Sequence, residues 1–209
     1  EKGKLMLKIN KVAEPDFLKS YKRKHKPKNW DDYNEDNIKF ELKTYIVENE
    51  QKINEGSLCV YCEREINVKN NDGHIEHIKP KDKFPQLFQE YNNLSISCNS
   101  KSTCGHAKQN EYDSRFINPI EDNPEDFLVY DDLTGKIMAK DISVKNRVEY
   151  TVNEVLNLNE YNLCKARKLV IKTLDDASNG GYFDYIADNY KGFYTLINFY
   201  RENFIFNQE

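Results

Sequence analysis

Glycine and proline are scarce in this chain, at 8 and 6 of its 209 residues. Their scarcity, together with 32% charged and 38% hydrophobic residues, argues against a fibrous or disordered protein. No stretch approaches the roughly 20 consecutive apolar residues that a membrane-spanning helix needs. Residues 1–11 are rich in charge and contain no apolar signal core. We therefore expect a globular, cytoplasmic protein that makes no membrane contact.

An excess of positive charge, common in nucleic-acid-binding proteins, is missing as well, because the formal net charge is −4. Residues 1–115 carry 21 Lys and Arg against 19 Asp and Glu, whereas residues 116–209 carry 10 against 16. A phosphate-binding surface should therefore lie in the first half of the chain or on a partner. The basic run from Lys19 to Lys28 is either a solvated loop or a contact for phosphate or a partner.

Apolar spacing predicts the elements on either side of the centre of the chain. A helix is expected to start at Pro15, and a near-3.6 period predicts another over residues 36–54. Residues 127–130 and 136–139 flank a glycine turn, which predicts a β-hairpin. Further helices are predicted over residues 148–156, 160–177 and 184–204. We find no chemical motif in this C-terminal part, whose aromatic stripes are typical of a core.

Four of the five cysteines form two pairs within 46 residues. Cys59 and Cys62 are a C-x2-C pair, and Cys98 and Cys104 are a C-x5-C pair. Without an export signal, paired cysteines are more often metal ligands than disulfides. Two such pairs can close a tetrahedral zinc site, which would be structural because four protein ligands leave no position for water. The fifth cysteine, Cys164, is far away in the sequence and is expected to be dispensable.

Three of the four histidines lie between or just after the cysteine pairs, at positions 74, 77 and 106. Phosphodiester hydrolysis needs a cation to neutralise charge and a base to accept a proton from water. Glu76 offers a hard oxygen to an ion such as Mg²⁺, and His77 is free to act as the base. Neighbours on a strand point to opposite sides, yet both can line one cleft where the chain turns at Pro80. His106 and Asn110 would share one face of a helix and complete the ion site.

Other interpretations of these residues stay open. His106 could replace one cysteine at the zinc. His74 has the same strand parity as Glu76, so it could be a substrate contact, a ligand or a solvated side chain. The cysteines could also belong to a non-catalytic zinc-binding interaction module, in which Glu76 and His77 are an ordinary surface pair.

These motifs resemble those of HNH endonucleases, through E-H-I-K-P at 76–80, N-L at 93–94 and C-G-H at 104–106. The chain is similar to the zinc-bound branch of that family, in which two cysteine pairs bracket a ββα-metal fold. The second cysteine pair is longer here than in many relatives, and Glu76 stands where Asp or His is commoner.

The resemblance implies a role for each matching residue. His77 corresponds to the general base, and Asn93 to the residue that ties the loop to the backbone and so aims His77. Glu76 and His106 correspond to ligands of a catalytic Mg²⁺ or Mn²⁺, and Asn110 matches a further ligand in some branches. Candidate substrate contacts are Lys79, Lys81 and Lys108.

The motifs are most similar to those of the HNH subunit of the Septu anti-phage system, which is also found beside retrons. That similarity implies a nucleic-acid target, for which DNA is favoured over RNA or tRNA. It also implies a Septu-type ATPase partner, through which the chain would assemble into an oligomer. The expected fold is α+β, with a ββα-metal core at residues 56–115. An N-terminal helical segment (1–55) and a C-terminal hairpin with helices (116–209) would either dock the partner or complete the hydrophobic core.

Overall fold

A computed structural model describes residues 6–34 and 37–202 of the chain. Its helices are α1 (Asp16–His25), α2 (Ile38–Ile46), α3 (Cys104–Lys108), α4 (Lys145–Val148), α5 (Tyr161–Asn179), α6 (Phe183–Asn189) and α7 (Tyr194–Tyr200). Its strands are β1 (Lys52–Ile53), β2 (Gly56–Ser57), β3 (Gly73–His77), β4 (Leu94–Cys98), β5 (Leu128–Tyr130) and β6 (Ile137–Ala139). Strand β1 pairs with β2, β3 with β4 and β5 with β6, and each pair is an antiparallel two-stranded sheet. Helices with small antiparallel sheets agree with the predicted α+β class.

The β3–β4 hairpin and helix α3 position the motif residues. The register of the two strands runs from Gly73 opposite Cys98 to His77 opposite Leu94. Helix α3 follows β4 after a short loop and packs against it. Strand, strand and helix therefore occur in the order expected of a ββα unit, and the assignment of this unit as an HNH core is part of the proposal below.

Strand β4 is buried at all five positions. The backbone groups on its edge away from β3 have hydrogen-bond partners outside the sheet. The Gln51 side chain accepts from the Ile96 amide at 2.7 Å and donates to the Ile96 carbonyl at 2.8 Å. The Val60 amide also donates to that carbonyl, at 3.0 Å. Buried backbone groups need such partners, so the side chain of Gln51 replaces a third strand here.

The buried hydrophobic side chains form one continuous core that takes members from all three predicted segments, for example Ile9, Ile96 and Leu196. The division of the chain at residues 55 and 115 stays a prediction. Within the described ranges, no helix is long and apolar enough to cross a membrane.

Most predicted elements of the flanks are found, with shifted ends. Helix α1 follows Pro15 as expected, and β5 and β6 form the predicted hairpin. Helix α2 starts at Ile38 and continues as a π-helical turn, Val47–Gln51. The predicted start at Asp36 lies outside the described residues. Helix α4 continues in the same way, as Glu149–Val155.

The single helix predicted over residues 184–204 is wrong, since α6 and α7 are separated. Tyr190 is extended, and Gly192 and Phe193 have positive φ angles of 104° and 48°. The Phe193 amide donates to the carbonyl of Glu63 at 2.9 Å, so a contact with the cysteine region takes the place of a helical hydrogen bond. The predicted end of this helix, residues 203–204, lies outside the described part.

Candidate active site and metal centre

The four paired cysteines converge on one buried point. Their sulfur atoms all lie within 4.8 Å of one another, and the Cys62 and Cys98 sulfurs are 3.8 Å apart. A tetrahedral zinc site with Zn–S bonds of about 2.3 Å places its sulfurs about 3.8 Å apart. The donor set and the spacing therefore fit a structural zinc ion, as the sequence predicts.

The local chain explains how the two pairs meet. Cys59 and Cys62 lie in the turn after β2, while Cys98 ends β4 and Cys104 begins α3 with a φ of 60°. The loop of residues 99–102 between the second pair is largely exposed, as the longer spacing requires. The Cys98 amide donates to the Cys59 sulfur at 3.3 Å. Hydrogen bonds from Cys104, Cys59 and Cys62 lower the pKa of Cys98, which favours a thiolate in the cluster.

His106 and Cys164 both lie outside the cluster of four cysteines. His106 is not among the clustered ligand atoms, and its ring lies 4.7 Å from that of His74, so it does not replace a cysteine. Cys164 lies in α5, where its thiol donates to the carbonyl of Asn159 at 3.4 Å. It is therefore separate from the cluster.

Glu76 is buried on the α3 side of β3, with only 6% of its surface exposed. Its Oε1 accepts from the Lys108 ammonium at 2.7 Å and from the Tyr61 hydroxyl at 3.1 Å. Burial would raise the pKa of Glu76, but the hydrogen bond from His74 and the charge of Lys108 outweigh burial and lower it. Glu76 is thus an anionic carboxylate whose second oxygen, Oε2, faces His74.

Nε2 of His74 and Oε2 of Glu76 face each other, and both atoms accept hydrogen bonds when His74 is neutral. Asn99 Oδ1 lies 2.9 Å from His74 Nδ1, and an amide oxygen can only accept, so Nδ1 carries the hydrogen. Its other nitrogen, Nε2, then points a lone pair at Glu76 Oε2, 3.3 Å away. Either a proton on His74 or a bound cation satisfies this pair. Despite burial, the pKa of His74 is raised by Glu76.

Gly105 makes room for this pair at the start of α3. A methyl group at Gly105 would lie 2.6 Å from Glu76 Oε2 and 2.7 Å from His74 Nε2. A side chain at this position would therefore force the ends of the Glu76 and His74 side chains to move. His106, the next residue, is exposed beside His74. Among the described residues, only the four cysteines bring three or more ligand atoms of this kind together, so these histidines and Glu76 do not form a closed cage.

Gly105→Ala should displace Glu76 and His74 while the zinc stays bound. Alanine favours a helix over glycine by about 1 kcal/mol, so a loss of activity would come from the contact rather than from the helix. In an assay of the nuclease activity proposed below, we expect a fall of about a hundredfold, as displacements of about 1 Å can cause. Gly56→Ala is the matched control, because its new methyl group would meet nothing closer than 3.5 Å. Wild-type cleavage by Gly105→Ala would contradict the tight contact.

His77 leaves β3 on the opposite face from Glu76, directly before the chain turns. Its Nε2 lies 2.9 Å from the carbonyl oxygen of Phe88, and a carbonyl only accepts, so Nε2 carries the hydrogen. In the neutral ring, Nδ1 is then left with a lone pair. Burial lowers the pKa of His77, and the Trp30 ring packs edge-on against it with 4.6 Å between centroids. His77 is therefore a neutral, oriented proton acceptor.

Asn93 holds the segment that follows His77. Its Oδ1 accepts from the Lys79 amide at 2.8 Å, and its Nδ2 donates to the Lys79 carbonyl at 2.9 Å. The Asn93 carbonyl accepts from the Ile78 amide at 3.0 Å. The three peptide groups between His77 and Pro80 are thus each held by the buried Asn93, through its side chain or its backbone.

The three lysines that were predicted to contact substrate differ in their exposure. Lys79 and Lys81 are partly exposed and pair with Glu121 and Asp82. Lys108 is 1% exposed and donates to Glu76 and to the His77 carbonyl, so it supports the site from beneath instead of reaching the surface.

The helical premise for Asn110 is wrong. Helix α3 ends at Lys108, because Gln109 has a φ of 46° and a ψ of −112°. Asn110 lies beyond that end and donates to Asp82 at 2.8 Å. Its role as an ion ligand remains only a prediction.

Three further residues shape the site but were not assigned a role from the sequence. Tyr61, inside the first cysteine pair, binds Glu76, and Trp30 packs on His77. Gly105 leaves room for the Glu76 and His74 side chains at the start of α3. Its position inside C-G-H and the uniqueness of Trp30 in the chain were the available signals.

Known proteins are similar to this chain over a little more than half of its length. No protein-family model matches the chain. It is 33% identical over 129 residues to the retron Vc95 putative HNH endonuclease of Vibrio cholerae serotype O1 biovar El Tor, covering 57% of this chain and 60% of that protein. It is 30% identical over 118 residues to the Septu protein PtuB of Bacillus thuringiensis, covering 55% of this chain and 42% of that protein.

These relatives confirm the resemblance read from the motifs: the chain is similar to HNH endonucleases, and within them to the Septu and retron-associated proteins. The matched region spans about half of the curated Septu relative and somewhat more of the retron one.

Proposed function

We propose that this chain is a metal-dependent HNH endonuclease that hydrolyses phosphodiester bonds of nucleic acid, acting as the nuclease subunit of an ATPase-coupled anti-phage system in the cytoplasm. The observation that supports it most is the orientation of His77. The Phe88 carbonyl fixes its Nε2–H at 2.9 Å, which leaves Nδ1 as a base one residue from the buried carboxylate of Glu76.

In this proposal His77 Nδ1 accepts a proton from the water that attacks phosphorus. A base with a lowered pKa is mostly neutral near pH 7, which is the form that accepts the proton. Asn93 keeps the peptide groups after His77 in place, so the imidazole stays aimed. Lys79 and Lys81, which are partly exposed, are the candidate phosphate contacts.

Glu76 and His106 would hold a catalytic Mg²⁺ or Mn²⁺, with His74 as a neighbouring donor and Asn110 as a more distant candidate. Oε2 of Glu76 lies 3.3 Å from Nε2 of His74, and a cation there would take the place of a proton on His74. When bound, such an ion supplies charge neutralisation at the phosphate oxygens. Lys108 acts as a positioning residue, because its ammonium engages Oε1 of Glu76 and leaves Oε2 directed at His74.

Asn93→Ala should lower kcat while leaving KM and zinc content close to wild type. The two hydrogen bonds to Lys79 hold the turn that aims His77, and a small misplacement of a catalytic group can cost about 10²-fold. Asn92→Ala is the neighbouring control, because Asn92 is exposed. A steady-state comparison of the three proteins checks this. If KM rises and kcat is unchanged, Asn93 contacts substrate instead.

The partner in this proposal is a Septu-type ATPase, since one relative is a Septu protein. Residues 56–115 would carry the chemistry, while residues 1–55 and 116–209 would dock the partner. Exposed Tyr161, Leu169, Tyr182 and Tyr185 in the C-terminal helical region support an interaction surface there. Co-purification with the ATPase, followed by assays on DNA and on tRNA with and without it, tests this arrangement. A monomeric chain that is fully active alone and never enriches an ATPase would remove the partner from the proposal.

A non-catalytic zinc-binding module is the second candidate. It is favoured by the Lys108 ammonium, which already neutralises one oxygen of Glu76, and by the lack of a closed second ion cage among the described residues. Cleavage that depends on a divalent ion separates the two candidates.

A further inference from the structure

A cavity of about 410 Å³ lies between the turn at Trp30, helix α2 and strand β3. This volume falls in the range of roughly 300–1,000 Å³ that is usual for small-molecule pockets. Its walls include the rings of Trp30 and Phe40, and its lining reaches His74. No metal-site or substrate assignment above uses Trp30, Lys39 or Phe40.

The pocket touches both halves of the proposed active site. Trp30 packs against the ring of His77 at 4.6 Å. His74, on another wall, lies 3.3 Å from Oε2 of Glu76. A ligand in this pocket is therefore one side chain away from the proposed base and one side chain away from the proposed ion-binding carboxylate.

The aromatic wall is stiff and partly accessible. Trp30 is half-buried and stacks on Tyr33 with 5.0 Å between ring centroids. Tyr33 is 1% exposed, and its hydroxyl donates to Gln89 Oε1 at 3.0 Å, so it supports Trp30 from behind. Phe40 keeps 42% of its surface exposed. Flat rings that are held in place and open to solvent are what a nucleobase stacks on.

Two lysines are among the described residues that line the pocket. They are Lys39 and Lys43, and Asp72 is the acidic group that acts on Lys43. The Lys39 ammonium lies 5.0 Å from the centre of the Trp30 ring and also donates to Asn34 Oδ1 at 2.6 Å. Asp31 is the acidic group that acts on Lys39, and Lys81 adds a second positive charge near it. The ammonium lies over the ring, and a lysine side chain can move from there to the phosphate of a base that stacks on Trp30.

We propose that this pocket holds one unpaired base of a single-stranded nucleic acid, stacked on Trp30 with a neighbouring phosphate paired to Lys39. The inference rests on the proposed function and adds a substrate class to it. A base inside a duplex is paired and stacked on both sides, so it cannot enter the pocket without leaving the helix, which costs a few kcal/mol. The chain therefore binds and cuts unpaired strands in preference to duplexes.

Intrinsic fluorescence tests the stacking directly, because Trp30 is the single tryptophan of the chain. The zinc-loaded full chain, without added divalent ion, is titrated with mixed-sequence single-stranded DNA, single-stranded RNA and a blunt duplex of the same length. We expect saturable quenching by at least one single strand, and weaker quenching by the duplex. The DNA and RNA arms identify the sugar. Binding without quenching, or equal quenching by the duplex, overturns the inference.

Affinity measurements on variants test the same contact independently. Loss of base stacking is worth about 1–3 kcal/mol, so Trp30→Leu should weaken binding of a labelled single strand by roughly 5- to 150-fold. Trp30→Phe keeps a flat ring and should bind within a few-fold of wild type. Lys39→Gln should weaken binding and reduce its salt dependence. Leu133→Ala, at an exposed apolar side chain outside the pocket, is the control. Wild-type affinity in both Trp30→Leu and Lys39→Gln overturns the inference.

Failure of this inference is distinguishable from failure of the nuclease assignment. Divalent-dependent cleavage by a chain whose Trp30 is never quenched leaves the nuclease and removes the base pocket. Quenching by single strands, in a chain that cleaves nothing with Mg²⁺, Mn²⁺ and partner present, leaves the pocket as a binding site and removes the nuclease.

Discussion

Replacing His77 with alanine should lower the cleavage rate by roughly 10²–10⁴-fold, because the variant lacks the group that accepts the proton from water. The loss should appear in kcat, with zinc content unchanged, since His77 lies on the face of β3 opposite Glu76 and is not among the clustered metal ligands. The measurement is steady-state cleavage of the preferred substrate with the partner present.

His77→Gln sharpens this experiment. Its side-chain amide can still donate to the Phe88 carbonyl, which now receives the Nε2 hydrogen bond at 2.9 Å, but an amide cannot act as a base near neutral pH. The glutamine variant should therefore be as inactive as the alanine variant and more stable. His25→Ala is the control, because that ring stacks on Tyr21 in α1. Retention of more than about a tenth of wild-type activity by either His77 variant would contradict the role of base.

Replacing Cys59 with serine should release the zinc and strongly destabilise the fold. The Cys59 sulfur lies in the four-thiol cluster that joins the turn after β2 to the end of β4 and the start of α3. The free energy of binding a structural zinc ion is also folding free energy. A loss of several kcal/mol should lower the Tm by on the order of 10 °C or more.

Cys164→Ser is the matched control, because Cys164 is equally a buried free thiol but lies in α5 outside the cluster. Zinc content by elemental analysis and thermal melting should separate the two variants clearly. Zinc-free wild-type protein that is folded, or a Cys59→Ser variant with wild-type zinc content and Tm, would refute the structural metal site.

The part of the site that the sequence predicts depends on local spacing. Two cysteine pairs with a polar loop between Cys98 and Cys104 predict convergence on one ion, and the four sulfurs do converge. Asn93 was matched by its motif alone, and its side chain does contact the backbone after His77. Residues within or next to a short motif are constrained by chemistry that operates over a few positions.

The remainder depends on contacts between distant segments. Trp30 reaches His77 only because the turn before α2 packs on the link between β3 and β4, and no periodicity encodes that contact. Lys108 was predicted to contact substrate, but its side chain is buried and its ammonium is stabilised by the carboxylate of Glu76. The C-G-H motif marks Gly105 but not the reason for it, because the Glu76 and His74 side chains that it leaves room for lie on a separate strand.

Divalent-dependent cleavage by the purified chain tests most directly whether the zinc-held hairpin carries a nuclease site. The zinc-loaded protein is incubated with single-stranded and duplex DNA and RNA, with and without Mg²⁺ or Mn²⁺ and the ATPase partner. We predict cleavage only when a divalent ion is added. Glu76→Ala should weaken binding of the divalent ion, so that high Mn²⁺ partly restores its activity. Absence of cleavage of every substrate, by folded protein with one zinc per chain and the partner bound, would contradict the claim and favour a non-catalytic zinc-binding module.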